Sequence, residues 1–296
     1  MKLKIIIQSM RFPFLILTPV CVCLGVSIVV KNQYTINLLL LTLTLAGALL
    51  AHISVNTLNE YFDFKSGLDL VTKRTKFSGG SGALPQHPDM AGAVLSTGIA
   101  SLIVTSVIGV IFICLYGTAI LPIGVVGLVL IITYTEWINK HPILCLISPG
   151  IGFGFLMVVG TQFVLTGEYA PLSFLVAAIP FFLVNNLLLL NQYPDILADE
   201  NVGRKHFPIA YGISRSNFLY ALFALAAILT IIIYIFMGYL PALSLIALLP
   251  MPFAFYSLYG AIKYGESLGN HPQYLAANAS TTILTLLLLG ISIIAG

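Results

Sequence analysis

Charge is what this sequence has least of. Only 8% of its 296 residues are Asp, Glu, Lys or Arg, against roughly a quarter in an ordinary soluble domain. With 59% hydrophobic residues and a mean hydropathy of +1.03, the composition argues against a soluble fold. No polar linker, low-complexity run or block of like charge divides the chain, so residues 1–296 read as a single membrane-embedded domain. The alternating pattern of a membrane barrel is missing as well. A net charge of +3, spread along the chain, gives nucleic acid no footprint. The four cysteines, Cys21, Cys23, Cys114 and Cys145, lie in apolar stretches without metal-ligand spacing and read as packing residues. Lys2 and Lys4 precede the first apolar stretch, but no small-residue cleavage site follows it, so that stretch is expected to remain as a helix.

What the chain does have is long apolar runs. A bilayer core takes about 20 apolar residues in a helix, because a helix satisfies its own backbone hydrogen bonds in lipid. By that measure the sequence predicts an all-α, multi-spanning bundle of about nine transmembrane helices. They run over residues 12–30, 37–61, 90–115, 118–137, 142–165, 172–190, 218–237, 240–262 and 275–294. With the N-terminus in the cytoplasm, all but one of the 13 basic residues fall on or near the inner side, and Lys31 alone lies outside. A miscounted helix would destroy that segregation. The long loops are therefore expected to face the cytoplasm and, if the cell is bacterial or archaeal, the expected setting is its inner (plasma) membrane.

Both long inner loops begin with acidic clusters. In the first, His52, Asn56, Asn59 and Asp63 share one face of an otherwise apolar helix, a polar stripe that has to face protein or water. Gly67 offers a turn that brings Asp69 back toward Asp63. In the second, Asn191, Asp195 and Asp199 are spaced four apart, and Pro194 is expected to kink or end the helix. Of the ten acidic residues in the chain, Glu60, Asp63, Asp69, Asp195, Asp199 and Glu200 belong to these two segments. Clustered carboxylates repel unless cations lie between them, and hard oxygen donors suit Mg²⁺ shared with substrate phosphates. The pair of motifs thus predicts a diphosphate–Mg²⁺ site with Asn59, Asp63, Asp69, Asn191, Asp195 and Asp199 as ligands. Lys73, Arg74 and Lys76 follow the first motif, and Arg204 and Lys205 follow the second, where cations would stabilise a departing diphosphate. Gly79-Gly80-Ser81-Gly82 is either a phosphate-cradling loop or a plain flexible one, since no Walker pattern is present. Gly150 and Gly154 are expected to permit close helix packing.

Asn59-Glu60-Tyr61-Phe62-Asp63 with Gly67, Asp69 and Lys73-Arg74-Thr75 resembles the first Asp-rich motif of the UbiA-type intramembrane aromatic prenyltransferases. Asn191 to Asp199 with Gly203-Arg204-Lys205 resembles the second, and the likeness extends over most of the chain. Thr18-Pro19-Val20, Arg11 with Pro13, and Gly160-Thr161 are most similar to the menaquinone branch, which prenylates 1,4-dihydroxy-2-naphthoate. Two departures stand out: Glu60 where Asp is usual, and Arg204-Lys205-His206 where Lys-Arg-Thr is more frequent.

The resemblance implies Mg²⁺-dependent transfer of a polyprenyl group from an allylic diphosphate to an aromatic acceptor. Asp63, Asp195, Asp199 and Arg74 would be catalytic, and Lys73, Arg74, Arg204 and Lys205 would bind the diphosphate. Tyr134 would lie near the allylic cation, with Arg11 and Asn56 toward the acceptor. The isoprenoid tail would lie among the helices, open to membrane lipid. The rival reading is a secondary transporter or cation carrier, whose paired acids would be expected at the membrane midplane instead of at one face.

Overall fold

The computed structural model describes residues 2–296. Helices account for every regular element among them: α1 (Lys2–Ser9), α2 (Leu17–Lys31), α3 (Leu38–Lys65), α4 (Leu68–Val71), α5 (Ala83–Gln86), α6 (Ala91–Tyr116), α7 (Leu121–Thr133), α8 (Pro142–Gly150), α9 (Gly160–Thr166), α10 (Pro171–Asn191), α11 (Ile196–Asn201), α12 (Phe207–Phe236), α13 (Met251–Tyr264) and α14 (Pro272–Ala295). Polar residues and prolines mark where these apolar runs begin. The Asn37 side chain accepts from Leu39 N–H at 3.0 Å and Leu40 N–H at 3.2 Å, capping α3. Proline opens α8, α10 and α14, where its missing N–H costs nothing.

Among the described residues, eight segments are long and apolar enough to cross a membrane, against the nine expected. The difference lies in the third segment, Pro88–Thr133, where the expected third and fourth spans run on with only a tight turn between them. Its 46 residues would make a straight helix of about 70 Å, more than twice a bilayer's hydrocarbon core. Gly117 breaks the path with a backbone (φ 68°, ψ −152°) that no other residue type adopts readily. Both ends of the segment lie beside the end of α3: Ser81, just ahead of it, donates to Glu60, and Thr135, just after it, donates to Asn59. The chain therefore returns to the face it left.

The main core joins α2, α10, α12, α13 and α14 through Leu24, Ile28, Val176, Leu183, Ala227, Ala261 and Leu275, all essentially inaccessible. Glycine lets α10 approach closely, as expected. A Cβ at Gly150 would lie 2.5 Å from the Phe181 carbonyl oxygen, and one at Gly154 2.7 Å from that of Ala177. A nine-residue π-helix, Ile151–Val159, joins α8 to α9, a feature the sequence reading did not anticipate. Pro149 sits inside the preceding turn, and the Gly150 N–H donates instead to the Asn185 side chain at 2.6 Å, so the regular α ladder is interrupted where the helix widens. Outward, α12 presents Phe218, Leu222, Leu225, Leu229 and Ile233 at helical spacing, a large exposed apolar stripe suited to lipid.

Candidate active site between two acidic helix ends

The polar stripe of α3 and the end of α10 meet at the mouth of one cavity of about 670 Å³. His52, Asn56, Asn59 and Asp63 from α3 all line it, with Asp69 from α4 and Asn191, Asp195 and Asp199 from the second motif. All six expected oxygen ligands thus border a common space, although Asn59 and Asp199 are 140 positions apart in the chain. Deeper in, the wall is apolar and continues through Phe153, Leu156, Ile123 and Ile108.

Local structure explains the convergence. α3 ends at Lys65, and Gly67 in the left-handed region (φ 80°) reverses the chain into α4, which carries Asp69 inward. Pro194 does end α10. The helix stops at Asn191, a 3-10 turn over Tyr193–Asp195 follows, and α11 resumes at Ile196. The four-residue spacing of Asn191, Asp195 and Asp199 therefore does not run along one helix, yet the turn still aims them at one cavity.

The two motifs are tied directly. The Arg204 guanidinium donates through Nη2 to Asp63 and through Nη1 to Asp199 at 2.9 Å, and His206 Nε2 lies 3.0 Å from the other Asp199 oxygen. Burial works against the Arg204 charge, but Asp63 and Asp199 outweigh it and hold the guanidinium above its ordinary value. Asn59 donates to Asp63 at 2.7 Å and accepts from the Thr135 hydroxyl at 3.2 Å.

The Gly79–Gly82 stretch is neither a loose linker nor a cradle open on all sides. Gly79 N–H donates to Asp195 at 3.0 Å, so the loop after the first motif grips the second. A Cβ at Gly80 would lie 2.5 Å from an Asp69 oxygen. Glu60 does not line the cavity. It turns away and accepts from Ser81 N–H at 2.9 Å and Ser81 Oγ at 2.5 Å, pinning this loop to α3. The Glu60–Ser81 and His206–Asp199 contacts escaped the sequence reading, because a hydroxyl in a glycine run and one histidine give no periodic signal.

The cations divide differently from expectation. Arg204, Arg11 and Lys76 line the cavity, whereas Lys73, Arg74 and Lys205 are exposed and do not. Lys73 Nζ is drawn to Asn270 at 3.2 Å, and the Arg74 guanidinium lies over Gly82, where a Cβ would meet it at 1.8 Å. Lys205 is held by its backbone, whose N–H donates to the Asn139 carbonyl at 2.8 Å. Tyr134 lines the cavity, and its phenol is a neutral, electron-rich ring near neutral pH. Asn56 also lines the cavity and donates to the Met10 carbonyl at 2.9 Å.

The donor set fits a hard divalent cation on one specific count. Asp69 Oδ2, Asn191 Oδ1 and Asp195 Oδ1 are buried oxygens without a hydrogen-bond partner among the described residues. Leaving such a group unpaired costs about 1–3 kcal/mol each, a debt that an ion would remove. Burial, with the negative charges of Glu60 and Asp63, pushes the Asp69 carboxyl up to about 8, the mark of an acid cluster short of positive charge. No three His, Cys, Asp or Glu side chains among the described residues are gathered closely enough to hold a metal by themselves. Arg204 occupies the space between Asp63 and Asp199 that would bring them together.

Comparison with known proteins agrees with this architecture. A curated relative, the 1,4-dihydroxy-2-naphthoate octaprenyltransferase of Bacillus subtilis (strain 168), is 32% identical over 181 residues, which are 60% of this chain and 56% of that protein. The match thus spans little more than half of the relative's length. A UbiA homologue from Archaeoglobus fulgidus, solved bound to DMAPP and Mg²⁺, shares the fold with a TM-score of 0.67 at 16% identity, covering 98% of this chain and 99% of the other. A UbiA homologue from Aeropyrum pernix K1 gives a TM-score of 0.68 at 16% identity over 92% and 95% of the two chains. A digeranylgeranylglyceryl phosphate synthase gives 0.64 at 14% identity over 100% and 99%. Residues 18–274 match the UbiA prenyltransferase family, and the chain, with its paired acidic helix ends opening on an apolar cavity, belongs to that family.

Proposed function

We propose that this protein transfers a polyprenyl group from an allylic polyprenyl diphosphate to an aromatic acceptor, with Mg²⁺ as cofactor. The observation that carries this reading is the joining of oxygen-rich helix ends to a long apolar cavity. The polar mouth suits a diphosphate, and the apolar depth suits an isoprenoid tail. The B. subtilis relative and the DMAPP- and Mg²⁺-bound A. fulgidus homologue support the same donor, metal and acceptor class.

Asn59, Asp63, Asp69, Asn191, Asp195 and Asp199 would hold the metal, which when bound neutralises diphosphate oxygens and promotes departure of pyrophosphate. The chain's own cations at the mouth, Arg204 and Lys76, add positive charge where the leaving group gathers negative charge, while Arg11, on the same cavity, serves the acceptor. Lys73, Arg74 and Lys205 are exposed and close in the chain to cavity-lining Thr72, Lys76, Arg204 and His206, and would draw the anionic donor toward the site. The carbon–oxygen bond of the donor breaks with its electron pair passing to pyrophosphate. The allylic carbon then bonds to the acceptor ring, which gives up a proton or, at a carboxylated carbon, carbon dioxide. Tyr134 presents a neutral π face that stabilises positive charge during this step, and the apolar wall excludes the water that would otherwise capture the cation.

The whole chain, 1–296, is proposed to act as one integral membrane domain. The turn at Gly117 supports reading the third apolar segment as two passes, nine in all, and the basic loops support an active site on the cytoplasmic side of the membrane. The acceptor proposed is 1,4-dihydroxy-2-naphthoate.

Purified protein incubated with polyprenyl diphosphate, Mg²⁺ and a panel of 1,4-dihydroxy-2-naphthoate, 4-hydroxybenzoate and homogentisate tests the proposal. Pyrophosphate release with a prenylated product in the mass spectrum is expected, abolished by Asp63→Ala and Asp195→Ala. A cation carrier would release none.

A further inference from the structure

His52 is a buried histidine on the cavity wall that the chemistry above does not use. Its Nδ1 lies 2.8 Å from the hydroxyl of Thr18, which is completely inaccessible. That hydroxyl makes no other hydrogen bond among the described residues, and a buried O–H without an acceptor is costly. Its proton therefore points at Nδ1. The remaining ring hydrogen is then on Nε2, which has no protein partner and is not among the sealed-off polar atoms, so it opens onto the cavity.

The surroundings indicate what this N–H meets. Phe153 meets the imidazole edge-on at 4.9 Å between ring centres, fixing the plane of the ring and supplying an aromatic wall. Arg11 lines the same cavity and is held in a left-handed backbone conformation (φ 55°) that non-glycine residues rarely adopt. Asn56, one helical turn from His52, spends its amide N–H on Met10 and leaves its carbonyl oxygen free on the cavity side. One N–H donor, one guanidinium and one carbonyl acceptor beside an aromatic face match a hydroxylated aromatic acid.

We propose that His52, its tautomer set by Thr18, donates Nε2–H to the carboxylate of the aromatic acceptor, making the Thr18–His52 pair an acceptor-recognition site. This rests on the prenyl-transfer reading above. His52 touches substrate, and Thr18 is a positioning residue acting through it. His52 lies on the cavity wall about three turns of α3 before Asp63, with Thr18 buried behind it, so the pair governs the acceptor and leaves the donor alone.

The test is steady-state kinetics of the full-length protein with 1,4-dihydroxy-2-naphthoate and with 1,4-dihydroxynaphthalene, which lacks the carboxylate. Loss of a hydrogen bond to a charged group predicts an acceptor KM raised about 10- to 100-fold in His52→Phe, with the donor KM within about twofold of wild type. The preference for the carboxylated acceptor should shrink by the same factor. Thr18→Val should raise the acceptor KM several-fold and Thr18→Ser should restore it. Unchanged acceptor KM in His52→Phe, or equal rises for both acceptors, overturns the pair's role while prenyl transfer stands. A wild-type protein that prenylates no aromatic acid removes both readings. Donor KM serves as the folding control, since a collapsed cavity would raise it too.

Discussion

Arg204 donates to the carboxylate of Asp63, a residue 141 positions earlier in the chain, and so clasps the end of α3 to the segment that follows α11. The same guanidinium holds Asp199. One cation thus sits between two carboxylates of different motifs, in the place where a dication with its diphosphate would also have to act. The clasp keeps the acids together, and metal loading would require it to loosen.

Replacing Arg204 with Ala should leave two buried carboxylates uncompensated. Removing one partner of a buried ion pair costs about 3–5 kcal/mol. Thermal unfolding in detergent should show a clear drop in EDTA that millimolar Mg²⁺ partly reverses, with a much smaller Mg²⁺ response in wild type. Equal loss with and without Mg²⁺ would mean that Arg204 and the metal do not compete for the same acids.

Gly80→Ala is expected to impair activity without unfolding the protein. The new Cβ would lie 2.5 Å from an Asp69 oxygen, and the position has φ +70°, a conformation costing about 1–2 kcal/mol for an L-residue. Asp69 must move, so the Mg²⁺ concentration giving half-maximal pyrophosphate release should rise about tenfold. Gly92→Ala, with nothing within 4 Å, is the silent control.

Glu60→Ala removes both hydrogen bonds to Ser81. Because Glu60 lies outside the cavity, its loss should loosen the 76–82 loop instead of deleting a ligand. Limited proteolysis should cut there several times faster, and activity should fall less than in Asp63→Ala. A loss as complete as that of Asp63→Ala would place Glu60 among the ligands.

Asn185→Ala orphans the buried Gly150 N–H, which donates to it at 2.6 Å. The expected cost is about 1–3 kcal/mol, visible as a lower unfolding temperature. Gly150→Ala, whose Cβ would lie 2.5 Å from the Phe181 carbonyl oxygen, should destabilise at least as much by prising α8 from α10. Neither should change acceptor preference.

The membrane-embedded all-helical character, the two acidic motifs, the break at Pro194 and the turn at Gly67 were legible in the residues themselves. Each rests on local chemistry: apolar length, oxygen ligands at helical spacing, a missing N–H, a missing Cβ. The π-helix was not legible, because it depends on Asn185 of another helix capturing the Gly150 N–H. Nor was the fate of the basic residues. Lys73 and Arg74 look equivalent to Lys76 in sequence, yet Lys73 is drawn to Asn270 and Arg74 lies over Gly82, both outside the cavity that Lys76 lines.

By itself the sequence determined that this chain forms long apolar helices suited to lipid and carries its clustered acidic and amide side chains in two blocks, since hydropathy and residue type act within a few turns of one helix. Only the tertiary structure decided that Arg204 joins those blocks, that Glu60 serves the loop and not the cavity, and that the Thr18 hydroxyl meets His52. Those outcomes depend on contacts 141, 21 and 34 positions apart along the chain. Helices apolar on nearly every side do not announce which face meets which neighbour, so packing alone selects such contacts.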